Sequence, residues 1–243
     1  MIPRFHCPLP LAAGAAIELP DTAAHHALRV LRLKAGDALT LFNGEGGEFA
    51  ATLERADARA AVARIAAWRA VERESPLAVT VVQGLASGER MDFALQKAVE
   101  LGAAAVQPVT TTRSVTRLDA SRADKRLAHW RQIAIAACEQ CGRNRVPEVL
   151  PLRDLDDWLR APTRAALRLL FAPDAVQTIG EVARPGGAIE LLVGAEGGLT
   201  DDETTAAMRA QFVAVRMGPR VLRTETAALA ALAALNVLWG DWR

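Results

Sequence analysis

Hydrophobic and polar positions change rhythm once along the chain. Up to about residue 70 the apolar positions come in short runs: ALTLFN (38–43) and GEFAATLE (47–54) flank a Gly-rich turn, and AAVARIAA (60–67) follows. This spacing predicts β-strands closing into a small barrel. One helix interrupts them, with Asp21 as its N-cap, running through HHALRVLR to the turn KAGD. The segment VERESP (71–76) is charged, ends in proline and has the character of a linker.

Beyond it strands and helices alternate. The apolar runs LAVTVVQ (77–83), AAVQPV (104–109), LRLLFA (167–172), IELLV (189–193) and FVAVR (212–216) are separated by helical segments at 91–101, 122–141, 201–210 and 225–240. That alternation predicts a mainly parallel sheet with helices on both faces. The helices are amphipathic in the ordinary way: Met91, Leu95, Ala98 and Val99 share one face, as do Leu127, Trp130, Ala134, Ala137 and Cys141 in the next. The last helix sets Leu229, Leu232, Leu235, Trp239 and Trp242 among alanines. That face either packs within the chain or meets another subunit.

Two loops stand out. LLVGAEGGLTDDE (191–203) is a buried strand, a turn with three glycines around Glu196, and a helix opened by a capping box of Thr200 and Glu203. Its spacing matches neither GxGxxG nor GxxxxGK[ST], which argues against the common nucleotide loops. VRMGPRVLRTETAALAAL (215–232) again ends a strand in Gly and Pro before a helix. Side by side at the carboxyl edge of a parallel sheet, the two loops would enclose a largely apolar ligand held by backbone groups. Two plain strand-to-helix connections are the alternative.

Composition narrows the class. With 51% hydrophobic and 23% charged residues the chain has enough apolar material for a real core, which excludes a disordered protein. A formal net charge of +1 neither demands nor forbids a nucleic-acid partner. Lys34, Lys97 and Lys125 are the only lysines, so the positive charge is almost all guanidinium, suited to bidentate phosphate contacts. LPLAAGAA is too short to span a bilayer, so a soluble cytoplasmic protein without membrane attachment is expected. Cys7, Cys138 and Cys141 lack neighbouring histidines, and the CEQC pair closes a helix where the dipole opposes thiolate. They are expected to be packing residues, with no metal.

VGAEGGLTDDE, MGPRVLRTETAAL, MDFALQKAVELGA and AIAACEQCGRNRVPEV, in this order, together with the opening IPRFH, the segment HHALRVLRLKAGD and the hairpin LFNGEGGEF, resemble the RsmE family of ribosomal RNA methyltransferases, within the SPOUT superfamily. The resemblance implies an α/β protein: an N-terminal PUA-like β-barrel that binds RNA (1–70) and a C-terminal SPOUT domain with a deep trefoil knot (75–243). It further implies a homodimer using S-adenosylmethionine to methylate N3 of a specific uridine in 16S ribosomal RNA, within an assembled or nearly assembled small subunit. The family's Gly-Pro-Glu-Gly-Gly appears here as Gly194-Ala195-Glu196-Gly197-Gly198, so a slightly looser loop is expected. Two alternatives stay open: a knotted enzyme modifying another base or a ribose 2′-hydroxyl, and a non-catalytic RNA-binding adapter.

The resemblance carries specific residues. Cofactor binding falls to Phe171 and Ala172, to Val193, Gly194, Glu196 and Gly198, and to Met217, Gly218, Val221, Leu222 and Thr224. The glycines are expected to let backbone approach the cofactor closely. RNA binding falls to Arg4, Arg29, Arg32, Arg113, Arg117, Arg122, Arg126 and Arg145. For catalysis the uridine imide must lose its proton or have its charge stabilised. Arg143, Arg220 and Arg223 are the candidate cations, and Glu139 and Glu225 the candidate bases, with Glu100 behind them. Charge stabilisation by arginine is the favoured route.

Overall fold

Strand alternation organises the first of two units into which the chain divides, Met1–Glu74 together with Cys138–Val146. The computed structural model describes residues 2–57, 60–115 and 118–242. Strands β1 (Arg4–His6), β2 (Ala16–Glu18), β3 (Ala38–Phe42), β4 (Glu48–Ala56) and β5 (Ala61–Arg69) form a sheet in the order β1-β3-β4-β5-β2. β1 runs parallel to β3, and the other pairs are antiparallel. Alternate residues turn Phe5, Leu39, Leu41, Leu53 and Ile65 into one fully buried cluster. The pattern predicts β3, β4 and β5, whereas β1 and β2 are three residues each and too short to show a period.

Helix α1 (Asp21–His25) passes directly into a π-helical turn, His26–Val30. The expected cap is corrected here. Asp21 is the first helical residue, and Pro20 occupies the N-cap without a side-chain bond. A proline in extended backbone sets the entry direction instead, and Asp21 favours the first turn through the helix dipole.

Buried ion pairs tie this unit together. Arg4 Nη1 donates to Glu48 Oε2 at 2.5 Å, while Nη2 donates to Asn144 Oδ1 at 2.5 Å and to the Gly142 carbonyl at 3.2 Å. Its guanidinium also lies 5.2 Å from the centre of the Phe42 ring. Arg143 is 5% exposed, and its Nε and Nη2 donate to Glu74 Oε2 at 2.8 and 2.6 Å. Both arginines therefore differ from expectation: Arg4 is no surface contact for RNA, and Arg143 is no free cation for catalysis. Desolvated guanidinium groups persist only with such partners.

The second unit comprises Ser75–Ala137 and Pro147–Arg243. Its strands are β6 (Val79–Gly84), β7 (Ala105–Thr110), β8 (Glu148–Val149), β9 (Arg153–Asp154), β10 (Leu167–Phe171), β11 (Ile189–Val193) and β12 (Val213–Val215). They form a sheet in the order β12-β10-β11-β6-β7-β8, with β9 beside β7, and every pairing among the described residues is parallel. The helices are α2 (Gly88–Glu100), α3 (Ala120–Cys141), α4 (Leu155–Leu159), α5 (Asp201–Arg209) and α6 (Thr224–Leu238). The last turn of α3, from Cys138, belongs to the first unit.

Central strands buried on both faces explain the continuous apolar runs: Val82, Val109, Leu170 and Leu192 pack with Leu155, Trp158, Ala207 and Phe212. Helix α2 packs on α6. On α6 the pattern of Leu232, Leu235 and Trp239 turns out to be core, all three being buried. The apolar side chains left outside are Val237 and Trp242, 54% and 50% exposed. No helix among the described residues is long and apolar enough to cross a membrane.

Burial also sets the titration of this first unit. The Cys7 and Cys138 thiols are pushed up to about 12 by burial, which leaves them unreactive. Burial raises the Glu139 carboxyl above its ordinary 4.5, against the N–H of His6 that it accepts at 2.9 Å. A raised folded value favours the protonated form in the fold. Its stabilising effect is complete below the unfolded pKa and is lost as pH rises through the folded one. Glu139→Gln keeps an acceptor for His6 and removes that loss. Its denaturation midpoint in urea should exceed the parent's at about pH 8 and converge with it at about pH 4. A variant less stable than the parent at the higher pH would contradict this assignment.

Candidate active site

Three neighbouring strands deliver their ends to one place. Phe171 and Ala172 leave β10, Val193 to Gly198 leave β11, and Arg216 to Thr224 leave β12. Together they line a cavity at the carboxyl edge of the sheet. Phe171, Ala172, Val193, Gly194, Glu196, Gly198, Met217, Gly218, Val221, Leu222 and Thr224 all contribute to its wall, as does Arg220.

Two of the glycines have a task besides the expected approach to a ligand. A Cβ on Gly194 would sit 2.8 Å from the carbonyl carbon of Gly198, and one on Gly84 would sit 2.6 Å from that of Gly194. Both distances are below any real contact. Glycine at 84 and 194 lets the loops pack on one another, and the cavity is what their approach leaves. Gly198 and Gly218 are different: φ values of +69° and +75° require a residue that accepts left-handed backbone. A Cβ on Gly198 would meet nothing within 4 Å, so the wall there is open to an occupant.

Side chains lock this arrangement. Thr224 Oγ1 donates to the Gly194 carbonyl at 2.5 Å and accepts from Gln83 Nε2 at 2.7 Å. The capping box forms as expected: Thr200 Oγ1 accepts from the Glu203 N–H at 3.2 Å, and Glu203 Oε2 accepts from the Thr200 N–H at 2.8 Å. Arg113 Nη1 donates to the Gly197 and Leu199 carbonyls, both at 3.0 Å. That guanidinium braces the loop, while the residue itself stays exposed.

Glu196 faces two ways. Its Oε1 accepts from the backbone N–H and hydroxyl of Ser87, each at 2.8 Å, and from Arg90 Nη1 at 3.4 Å. Burial alone would raise this carboxyl, but the Ser87 bonds and Arg90 more than reverse it, holding it below the ordinary range. Its Oε2 is buried with no hydrogen-bond partner. A second cavity, about 230 Å³ and lined by Arg90, Glu196, Arg223, Thr224 and Glu225, shares Glu196 and Thr224 with the first. Glu225 Oε2 is also buried and without a partner. Ser87 and Arg90 escape a sequence reading because they meet a carboxylate more than a hundred residues away; SGER shows only a plausible helix start.

The remaining candidates are scattered. Arg143 and Glu139 line neither cavity. Glu100 is held by Lys97 at 2.7 Å. Arg29, Arg32 and Arg145 are exposed, Arg122 pairs with Asp119 at 3.4 Å, and Arg126 is half-buried beside Trp130. Arg117 lies outside the described residues. Among the described residues no cluster of three or more His, Cys, Asp or Glu is placed to hold a metal ion.

Known families match both units. Residues 73–236 match an RNA methyltransferase domain, and residues 19–66 an RNA methyltransferase PUA domain. The ribosomal RNA small subunit methyltransferase E of Mycobacterium bovis is 37% identical, over 92% of this chain and 90% of its own length. That of Buchnera aphidicola from Schizaphis graminum is 31% identical, over 99% and 98%. The chain belongs to the ribosomal RNA small subunit methyltransferase E family.

It thus combines a PUA domain with a SPOUT methyltransferase domain on a parallel α/β core. The family enzyme of Neisseria gonorrhoeae, solved bound to S-adenosylmethionine, superposes with a TM-score of 0.93 at 43% identity, covering 100% of both chains. A Legionella pneumophila methyltransferase, also solved with this cofactor, gives 0.96 at 38% identity over 99% of both. The cavity described above fits such a group. Its apolar walls suit an adenine, and the orphaned Glu196 Oε2 is an acceptor waiting for a hydroxyl or amine donor.

If loop-to-loop contact shapes the cavity, Gly84→Ala should disturb it from outside its wall. The variant should lose about 1–3 kcal/mol of stability in urea unfolding and bind S-adenosylmethionine more weakly. Unchanged stability and affinity would show that the loops tolerate separation.

Proposed function

We propose that this chain transfers a methyl group from S-adenosylmethionine to N3 of one uridine in small-subunit ribosomal RNA. The observation that carries this reading is a pair of cavities that share Glu196 and Thr224: a glycine-walled apolar one, and one lined by Glu196 and Glu225, each of which keeps a buried carboxylate oxygen without a donor. Bound in the first, S-adenosylmethionine supplies an electrophilic methyl group on a sulfonium. Phe171, Met217 and Leu222 would exclude water around it, backbone groups of Val193, Gly194, Gly198 and Gly218 would hold the adenosine, and Ala172, Val221 and Thr224 would close the wall. Glu196 accepts from a hydroxyl through Oε2.

The acceptor base belongs in the second cavity. A uridine imide N–H is a poor nucleophile until its proton leaves. Glu225 Oε2 takes that proton, being buried and free of any donor in the fold. Arg223 and Arg90 flank the same space and Arg220 the neighbouring one, so charge spreading onto the uridine carbonyl oxygens meets guanidinium groups. With Arg143 withdrawn into its pair with Glu74, the balance moves from arginine alone to a carboxylate acting beside arginines.

Residues 1–70 serve as the RNA-binding barrel and 75–243 as the SPOUT domain, whose chain closes a trefoil knot near the Gly194 and Gly218 loops. RNA is held by Arg29, Arg32, Arg122, Arg126 and Arg145, and the substrate is an assembled or nearly assembled subunit in the cytoplasm. The enzyme is a homodimer with each site completed by its partner. Phe93, Val237 and Trp242, on or beside the mutually packed α2 and α6 and 46–54% exposed, supply apolar surface for that contact.

Glu225→Gln should lower kcat on ribosomal substrate by about 10²–10⁴-fold, with S-adenosylmethionine affinity within a few-fold of the parent. Arg223→Lys should lower kcat less. Mass spectrometry of the digested RNA should place the new methyl on uridine N3. Full turnover by Glu225→Gln across the pH range would remove the base, and a methyl on a ribose oxygen would overturn the substrate assignment.

A further inference from the structure

One aromatic side chain of the first unit stands in water. Trp68, near the end of β5, is 55% exposed. The edge of its indole rests on the hairpin tip between β3 and β4: a Cβ on Gly47 would lie 2.8 Å from Trp68 Cε2 and 2.9 Å from Cζ2. The preceding Gly46 carries the guanidinium of Arg145, where a Cβ would meet Nη2 at 2.6 Å. Two consecutive glycines therefore seat an indole and a guanidinium side by side. The tip itself is fastened, since the Gly47 N–H donates to Glu72 Oε1 in a short bond and Asn43 bonds Glu45 in both directions.

We propose that Trp68 is a stacking platform for an unpaired base of the RNA substrate, with Arg145 holding the adjacent phosphate. The proposal rests on the reading of this chain as an RNA-modifying enzyme. An indole seated on backbone has little conformational freedom left to lose, and every base offers it a π-face. Arg145 is 58% exposed and only loosely paired, 3.5 Å from Glu72 Oε2, so a phosphate competes for it at little cost. The surroundings disfavour a protein partner. Trp68 is followed by Arg69 and lies near Glu72 and Arg145, so it is a single aromatic ringed by charge and not the contiguous apolar area that a protein interface buries. Stacking on exposed aromatics is how single-stranded RNA is commonly gripped, whereas duplex RNA has no free base to offer.

The test uses the full-length protein, a fluorescein-labelled single-stranded oligouridine and a duplex RNA of equal length. Methyl transfer by the parent to small ribosomal subunits is measured first, and its failure would count against the proposed function alone. Trp68→Ala should bind the single strand on the order of tenfold more weakly, with an unchanged salt slope and little change on the duplex. Trp68→Phe should keep most of the affinity. Arg145→Gln should instead reduce the salt slope by about one. With ribosomal substrate, Trp68→Ala should raise KM and leave kcat and S-adenosylmethionine affinity unchanged. Parental affinity in Trp68→Ala, equal losses in Trp68→Phe and Trp68→Ala, or a changed oligomeric state by light scattering would each overturn the platform. Should Trp68→Ala fail to fold, quenching of Trp68 emission by the oligouridine decides, read as the difference between parent and Trp68→Phe; no difference overturns the proposal.

Discussion

One buried hydroxyl holds the candidate site together. Thr224 Oγ1 gives its proton to the Gly194 carbonyl and takes one from Gln83, so the end of β6, the end of β11 and the start of α6 meet at a single oxygen. A hydroxyl is the smallest group that both donates and accepts. The glycines are consequences of that junction. Loops drawn together this closely leave no room for a Cβ at 84 or 194, and the cavity takes its shape from where backbone stops.

Buried charged groups are partnered to different degrees. Some are held by several partners: Arg4 and Arg143 by Glu48, Glu74, Asn144 and backbone carbonyls in the first unit, and Arg168 by Glu190 and the Ala210 carbonyl in the second; the Glu48 carboxyl, which burial would raise, is brought below its ordinary range by Arg4 and Arg73. Such clusters fix structure and have little left to offer a substrate. In the second unit Glu196 and Glu225 each keep one buried oxygen without a donor. A buried acceptor left empty costs stability unless something arrives to fill it.

Long-period features of the chain are legible in its sequence. The continuous apolar runs of β6, β10 and β11 follow from burial on both faces, and the capping box at Thr200 and Glu203 is written within four residues. The loop residues from 171 to 224 that line the cavity are legible through family resemblance and not through periodicity. What escapes is pairing at a distance. Nothing near Arg4 or Arg143 in the chain tells that Glu48 and Glu74 wait for them, and an arginine in a list looks the same whether buried or free. Leu232 and Trp239 show the same limit, since an alanine-rich apolar helix face is written alike for a core and for an interface. Strands of three residues, such as β1 and β2, carry too few positions for alternation to register.

Calorimetric titration of S-adenosylmethionine into the parent and Thr224→Val reads whether the Thr224 junction shapes a cofactor cavity. Valine keeps the shape and removes both hydrogen bonds, leaving the Gly194 carbonyl without its side-chain donor and the Gln83 amide with the Gly84 carbonyl alone. The parent should bind one cofactor per chain, and the variant, still folded, should bind at least tenfold more weakly, a loss of about 1.4 kcal/mol or more. Equal affinity in both proteins would contradict the account.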